Sequence, residues 1–167
     1  QPDAIAERLL DRNRVRISEG NGMTEFAPVT NWCPPDQYAP HTVGPPVPGV
    51  RQRIVDIESN TECAQGNEGE IRVKGDNIMK GYFKRPEDTA AVFDEDGWRR
   101  TGDMGRFDEQ GRLYITGRIK EMIIVGGENV FPRDIEEDLN RHPSESASGV
   151  TRLEDPMRGE VPVAFIE

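Results

Sequence analysis

Short runs in which apolar and polar residues alternate recur through the first two thirds of the chain. Alternation with a period of two is typical of strands that bury one face. The pattern predicts strands at residues 15–17, 52–57, 70–74, 105–107 and 113–116, and a glycine loop at residues 19–22. Residues 108–111 indicate a hairpin turn in which Gly111 takes a positive φ. Closely spaced strands with such turns favour a small antiparallel, barrel-like sheet.

Helical spacing appears at both ends of the chain. Ile5, Leu9 and Leu10 predict a short amphipathic helix over residues 2–12, and Pro132 begins a second predicted helix that ends at His142. Strands are predicted at residues 122–125 and 161–166. The proline-rich residues 27–49 favour a loop or a sheet edge, because proline lacks the amide donor of a central strand. The predicted fold class is therefore α+β.

The elements divide into two predicted parts. Residues 1–116 are expected to be the end of a large domain that carries the barrel-like sheet, and residues 117–167 a hinge followed by an incomplete small α+β domain. The second part has only about 50 residues, near the size below which a core rarely stands alone. A hydrophobic content of 34% also suits a piece of a larger protein.

Composition excludes several classes of function. A formal net charge of −10 argues against nucleic acid as the partner. No stretch approaches the roughly 18 apolar residues of a membrane span, and the first residues lack a signal pattern, so we expect a cytoplasmic protein. The two cysteines are 30 residues apart without metal-site spacing, and neither histidine has a neighbouring partner for a triad.

Four residues have side chains suited to nucleotide chemistry. Glu25 is a hard-oxygen ligand for Mg²⁺, and the Thr24 hydroxyl can donate to a phosphate oxygen. Asp103 can accept from two vicinal hydroxyls, and Arg118 offers a planar donor fork. Taken singly, they also fit a solvated loop, a turn aspartate and a surface ion pair. Their order and spacing, with Asp103 and Arg118 flanking one predicted hairpin, favour a joint role.

Three segments carry a resemblance to a known family. They are Gly22-Met23-Thr24-Glu25, residues 98–103 (WRRTGD) and residues 117–132 (GRIKEMIIVGGENVFP). These segments resemble the adenylate-forming (AMP-binding) superfamily of acyl-CoA synthetases, peptide-synthetase adenylation domains and beetle-type luciferases. The match spans nearly the whole chain.

The resemblance implies roles for particular residues. Thr24 would contact the AMP phosphate, Glu25 the magnesium ion, Asp103 the ribose and Arg118 the nucleotide. Lys120 falls at the hinge about which the small domain swings between its adenylating and thioester-forming poses. The nucleotide loop would comprise Gly20, Asn21, Gly22 and Met23, while Gly126 and Gly127 would line the pantetheine channel. Asn21 stands where the family commonly has an aromatic side chain that stacks on the adenine ring.

The implied function is that of an ATP-dependent acyl-CoA synthetase, with a carboxylic acid, ATP and coenzyme A as substrates and Mg²⁺ as the metal. The family's phosphate loop and its C-terminal lysine are expected outside residues 1–167. The chain is therefore predicted to need the remainder of the same enzyme and to be inactive alone. Two alternatives stay open: an adenylation domain that loads a carrier protein, and a non-catalytic module that binds AMP or a partner chain.

Overall fold

The computed structural model describes residues 9–15, 17–142 and 147–167. The chain forms two compact units. The first comprises the residues up to Thr101 together with Gly105–Ile115, and the second comprises Gly102–Met104 and Thr116–Glu167. Helices and antiparallel sheets are both present, so the α+β prediction is confirmed.

The first unit is built on two sheets. A two-stranded antiparallel sheet joins β1 (Gly20–Gly22) to β2 (Val29–Trp32). A four-stranded sheet follows the chain order β3 (Val50–Val55), β4 (Gly69–Gly75), β5 (Arg99–Phe107) and β6 (Leu113–Arg118). Helix α1 (Pro86–Val92) lies between β4 and β5 in sequence. Residues 102–104 of β5 and 116–118 of β6 belong to the second unit.

Alternating side chains of the four-stranded sheet form the core of the first unit. Ile71 and Val73 of β4 are each 1% exposed and pack with Ile54, Leu113 and Phe26. Their neighbours Glu70 and Arg72 are also buried and form an ion pair at 3.1 Å. Since successive side chains of a strand point to opposite faces, β4 is covered on both faces.

The second unit combines one sheet with one helix. The strand order is β8 (Glu128–Val130), β7 (Ile123–Val125), β10 (Gly159–Ile166) and β9 (Ser148–Asp155), and helix α2 covers Pro132–Leu139. Ile123 and Phe131 are buried. A Cβ on Gly117 would lie 2.5 Å from the Phe131 ring, so this glycine leaves room for the aromatic side chain.

Several predicted elements differ from the structure. The predicted strand at residues 15–17 is wrong, since residues 15 and 17 are not in a strand. The predicted glycine loop contains β1, because residues 20–22 hydrogen-bond to β2. Helix α2 ends at Leu139 rather than at His142, and Asn140 caps it. Ile5 of the predicted first helix lies outside the described residues, whereas residues 9–13 are helical.

The turn between β5 and β6 matches its prediction. Gly111 has a φ of +73°, and the carboxylate of Asp108 accepts hydrogen bonds from the backbone amides of Gln110 and Arg112 at 2.9 Å each. In the described parts of the chain, no helix is long and apolar enough to cross a bilayer.

Candidate active site

Thr24 and Glu25 lie on a short 3-10 turn, Thr24–Phe26, that follows β1 directly. The entry to the turn is tight, because a Cβ on Gly22 would stand 1.8 Å from the carbonyl oxygen of Pro28. Phe26 anchors the turn in the core, where it is 1% exposed. The Met79 amide donates to the Glu25 carbonyl at 2.8 Å. Thr24 is exposed on this fixed turn and Glu25 is half-buried.

The Glu25 carboxylate is held by two side chains from distant parts of the first unit. The Tyr82 hydroxyl donates to Oε1 at 2.9 Å, and Nη2 of Arg99 donates to the same oxygen at 3.0 Å. The same Nη2 also donates to the Tyr82 hydroxyl at 3.1 Å. The three side chains therefore form a closed triangle, which we call the Glu25 triad.

The electrostatics of the triad favour the ionised carboxylate. Burial raises the pKa of Glu25, but hydrogen bonds from its own amide and from Tyr82, together with the charge of Arg99, outweigh burial and hold the pKa below its ordinary value. At neutral pH, Glu25 is therefore an anion with a fixed direction. A short turn that presents a carboxylate beside a hydroxyl can serve a cation and a phosphate together.

Arg99 and Tyr82 were not assigned a role in this site from the sequence. Arg99 lies inside one of the three segments that carry the resemblance, and Tyr82 lies outside them. Their contacts with Glu25 span 57 and 74 positions of the chain. The need of Arg99 for a partner follows from its burial in β5, which only the structure shows.

The Glu25 triad suits a magnesium ion that arrives with its nucleotide. Among the described residues, His, Cys, Asp and Glu side chains form no group of three or more that could hold a metal ion. Mg²⁺ is commonly held by one or two carboxylates, with water and substrate phosphates completing its octahedron. A single ionised carboxylate on the turn that also carries Thr24 fits that pattern.

The predicted nucleotide loop has a defined structure. Gly20, Asn21 and Gly22 form β1, and Met23 follows it half-buried against the core. The Asn21 amide Nδ2 donates weakly to Oγ1 of Thr30 at 3.4 Å. The polar group of Asn21 is thus tied to β2.

Asp103 and Arg118 meet within the second unit. Nε of Arg118 lies 3.3 Å from Oδ1 of Asp103, and Nη1 lies 3.9 Å from Glu121. The Asp103 side chain is 13% exposed, whereas that of Arg118 is 54% exposed. Asp103 lies within β5, directly after Thr101 and Gly102 of the same strand, and Arg118 ends β6. The two residues lie together as expected, with the carboxylate paired to the guanidinium.

Lys120, Gly126 and Gly127 also lie in the second unit. Lys120 is exposed on the 3-10 turn Ile119–Glu121 that follows β6. Gly126 and Gly127 connect β7 to β8 with φ values of +59° and +95°. A Cβ on either would meet nothing within 4 Å, so the requirement for glycine here is the left-handed backbone of the turn. Their roles as hinge and channel lining stay predictions.

The predicted convergence of Thr24 and Glu25 with Asp103 and Arg118 around one AMP-sized hollow joins residues of the two units. It stays a prediction, as do the individual ligand roles of all the residues above.

The chain matches known proteins over nearly its whole length. A putative acyl–CoA ligase, YdaB, of Bacillus subtilis (strain 168) is 40% identical over 99% of the chain, and 4-coumarate–CoA ligase 1 of Petroselinum crispum is 39% identical over 91% of it. The chain spans about a third of these relatives, 33% of the first and 29% of the second.

Solved structures agree with these relatives. ATP-bound MatB from Rhodopseudomonas palustris superposes on 98% of the chain with a TM-score of 0.91 at 36% identity, and the chain covers 32% of it. The O-succinylbenzoate coenzyme A synthetase MenE from Bacillus subtilis, in complex with AMP, superposes on 99% of the chain with a TM-score of 0.85 at 32% identity, and the chain covers 34% of it. The family model described as AMP-binding enzyme matches residues 1–83. The chain belongs to the AMP-binding, adenylate-forming enzyme family, and its curated relatives include acyl-CoA ligases.

Proposed function

We propose that this chain is part of an ATP-dependent acyl-CoA synthetase. In the first half-reaction, a carboxylate oxygen of the acid attacks the α-phosphorus of ATP, which gives acyl-AMP and releases pyrophosphate. In the second, the thiol of coenzyme A attacks the acyl carbon, loses its proton and displaces AMP. The observation that carries the proposal is the carboxylate of Glu25, which Tyr82 and Arg99 hold on the same short turn that exposes Thr24.

The residues have separate tasks in this proposal. Glu25 would hold Mg²⁺, which would draw charge from the phosphate oxygens, and Thr24 would donate to the α-phosphate. Asp103 accepts from the ribose hydroxyls once Arg118 turns toward the nucleotide, a movement that the 54% exposure of the Arg118 side chain allows. Lys120 is the hinge, and Gly126 and Gly127 line the channel for the pantetheine arm of coenzyme A. A cytoplasmic location stays a prediction.

The chain by itself is proposed to be inactive. The chain covers about a third of the length of the two curated relatives compared above. Both of these relatives are named as CoA ligases. We expect the full-length enzyme to supply the other groups that adenylation needs. The isolated chain should therefore show no acid-dependent exchange of pyrophosphate into ATP, and activity of that chain alone would contradict this part of the proposal.

The test is carboxylate-dependent ATP–pyrophosphate exchange by the full-length protein. We expect exchange with a panel of fatty and aryl acids, and a loss of about 100-fold or more in Glu25→Ala, because the ligand of the ion that would offset the phosphate charge is removed. Glu109→Ala, at an exposed acid of the β5–β6 turn, is the matched control and should keep wild-type exchange. Absence of acid-dependent exchange in the wild type would overturn the proposal and favour a binding module.

A second assay identifies the acceptor of the acyl group. The enzyme first forms acyl-AMP in situ. Free coenzyme A or a phosphopantetheinylated carrier protein is then added, and the thioester product is measured. Thioester on free coenzyme A is expected. Transfer to the carrier alone would replace the synthetase with a carrier-loading adenylation domain.

A further inference from the structure

The Glu25 triad contains an arginine whose position is set by more than Glu25. The Arg99 side chain is 4% exposed. Its Nη1 donates to the Arg100 carbonyl at 3.0 Å and lies 3.5 Å from the sulfur of Met23, and its guanidinium stands 5.4 Å from the centre of the Phe26 ring. The strand and the core thus fix the guanidinium independently of its contact with the carboxylate.

The burial of Arg99 is costly in a way that stability alone does not explain. Within the described part of the chain, its Nε is a buried donor with no hydrogen-bond partner. Buried polar atoms are nearly always satisfied, and a buried ion pair is often no more stable than an apolar replacement. A buried arginine with an unmet donor therefore points to a role in orienting the group that it faces.

The two side-chain hydrogen bonds to the carboxylate fall on one of its two oxygens. Tyr82 and Arg99 each donate to Oε1 of Glu25. Two donors on one oxygen restrict rotation of the carboxylate about its last bond. Groups that orient a metal ligand typically change metal affinity or activity by about 10–100-fold when they are removed.

We infer that Arg99, together with Tyr82, is a positioning residue that holds Glu25 in one orientation for the Mg²⁺ of the nucleotide. This inference rests on the proposed function for its chemical setting. Arg99 acts only through Glu25 and does not itself touch the nucleotide. The effect of Arg99 should accordingly vanish when the carboxylate of Glu25 is absent.

The experiment is a double-mutant cycle in the full-length enzyme. Arg99→Leu keeps an apolar side chain on Phe26 and removes the Nη2 donor to the carboxylate, and Glu25→Gln removes the charge that this donor holds. Manganese stands in for magnesium, and its binding to the enzyme in the presence of ATP is measured by electron paramagnetic resonance. Acid-dependent pyrophosphate exchange is measured on the same four proteins as a function of Mg²⁺.

The expected pattern distinguishes positioning from packing. Arg99→Leu should weaken Mn²⁺ binding and lower kcat by about 10–100-fold with little change in the KM for ATP, and Arg99→Lys should recover part of the loss. In the Glu25→Gln background, Arg99→Leu should change either quantity by less than about 3-fold. Arg112→Leu, which breaks an ion pair with Asp108 at the β5–β6 turn, is the matched control and should be neutral in both assays.

Each other outcome has a defined meaning. Equal losses from Arg99→Leu in both backgrounds, or an unchanged Mn²⁺ affinity in the single variant, would overturn the positioning role. If the wild type binds Mn²⁺ with ATP but shows no acid-dependent exchange, the proposed function fails. The manganese arm then still decides whether Arg99 orients Glu25.

Discussion

Asp94 makes the sharpest stability prediction, because its carboxylate joins two arginines of the sheet to the loop that precedes β5. Oδ2 accepts from Nη2 of Arg53 at 2.7 Å and from Nη1 of Arg72 at 3.2 Å. Oδ1 accepts from the backbone amides of Trp98 at 2.8 Å and of Asp96 at 3.2 Å. The Asp94 side chain is 9% exposed, so water does not replace these bonds when the carboxylate is removed.

The contacts of Asp94 set the expected loss of free energy of unfolding in Asp94→Ala. Removal of one partner from a buried ion pair typically costs about 3–5 kcal/mol. Arg72 keeps Glu70 at 3.1 Å and Asn60 at 2.6 Å, and Arg53, which loses its ion-pair partner, reaches solvent with 21% of its side chain exposed, so neither cation is left both buried and unpaired. We therefore expect the lower end, a loss of about 3 kcal/mol in the free energy of unfolding.

The assay is urea unfolding followed by tryptophan fluorescence, to which Trp98 contributes directly because Arg53 stacks 4.6 Å from its ring centre. Asp96→Ala is the matched control, since Asp96 is exposed in the same loop and its side chain should contribute less than about 0.5 kcal/mol. If Asp94→Ala and Asp96→Ala unfold within about 1 kcal/mol of each other, the reasoning from the buried pairs is refuted.

Two further predictions concern pH and backbone packing. Burial raises the pKa of Asp94, but the Trp98 amide and the charges and bonds of its arginines outweigh burial and hold that pKa below its ordinary value. The stability from this ionisation is therefore complete above the unfolded pKa of about 3.9 and is lost as pH falls through the folded pKa. Urea midpoints should show the advantage of wild type over Asp94→Asn shrinking below about pH 4, and a constant difference would contradict it. Gly22→Ala should lower stability by about 1–3 kcal/mol in thermal unfolding, because its Cβ meets the Pro28 carbonyl oxygen at 1.8 Å. Gly149→Ala, where a Cβ meets nothing within 4 Å, is the control, and equal shifts would show that the contact at Gly22 is relieved without cost.

Local patterns were sufficient where the burial of one face dictates the element. The predicted strands at residues 70–74, 113–116 and 161–166 correspond to β4, β6 and β10, with ends shifted by one or two residues. The start of α2 at Pro132 was also predicted, because proline at the first turn is a local signal.

Local patterns failed to predict strands that form only because they pair with a neighbouring strand. β1 consists of Gly20, Asn21 and Gly22, which have no strand propensity, and it exists through its pairing with β2. β9 was missed because it is polar and largely exposed, and it is held by an unbroken register of eight residues against β10.

The sequence by itself determined the α+β class, the family and the identity of the candidate ligands Thr24, Glu25, Asp103 and Arg118, because motif spacing and hydrophobic period are properties of neighbouring residues. Only the tertiary structure decided that Tyr82 and Arg99 hold Glu25 and that Arg118 pairs with Asp103. Those contacts depend on which strands lie side by side, and the free energy that selects such pairings comes from burial and hydrogen bonds between residues far apart in the chain.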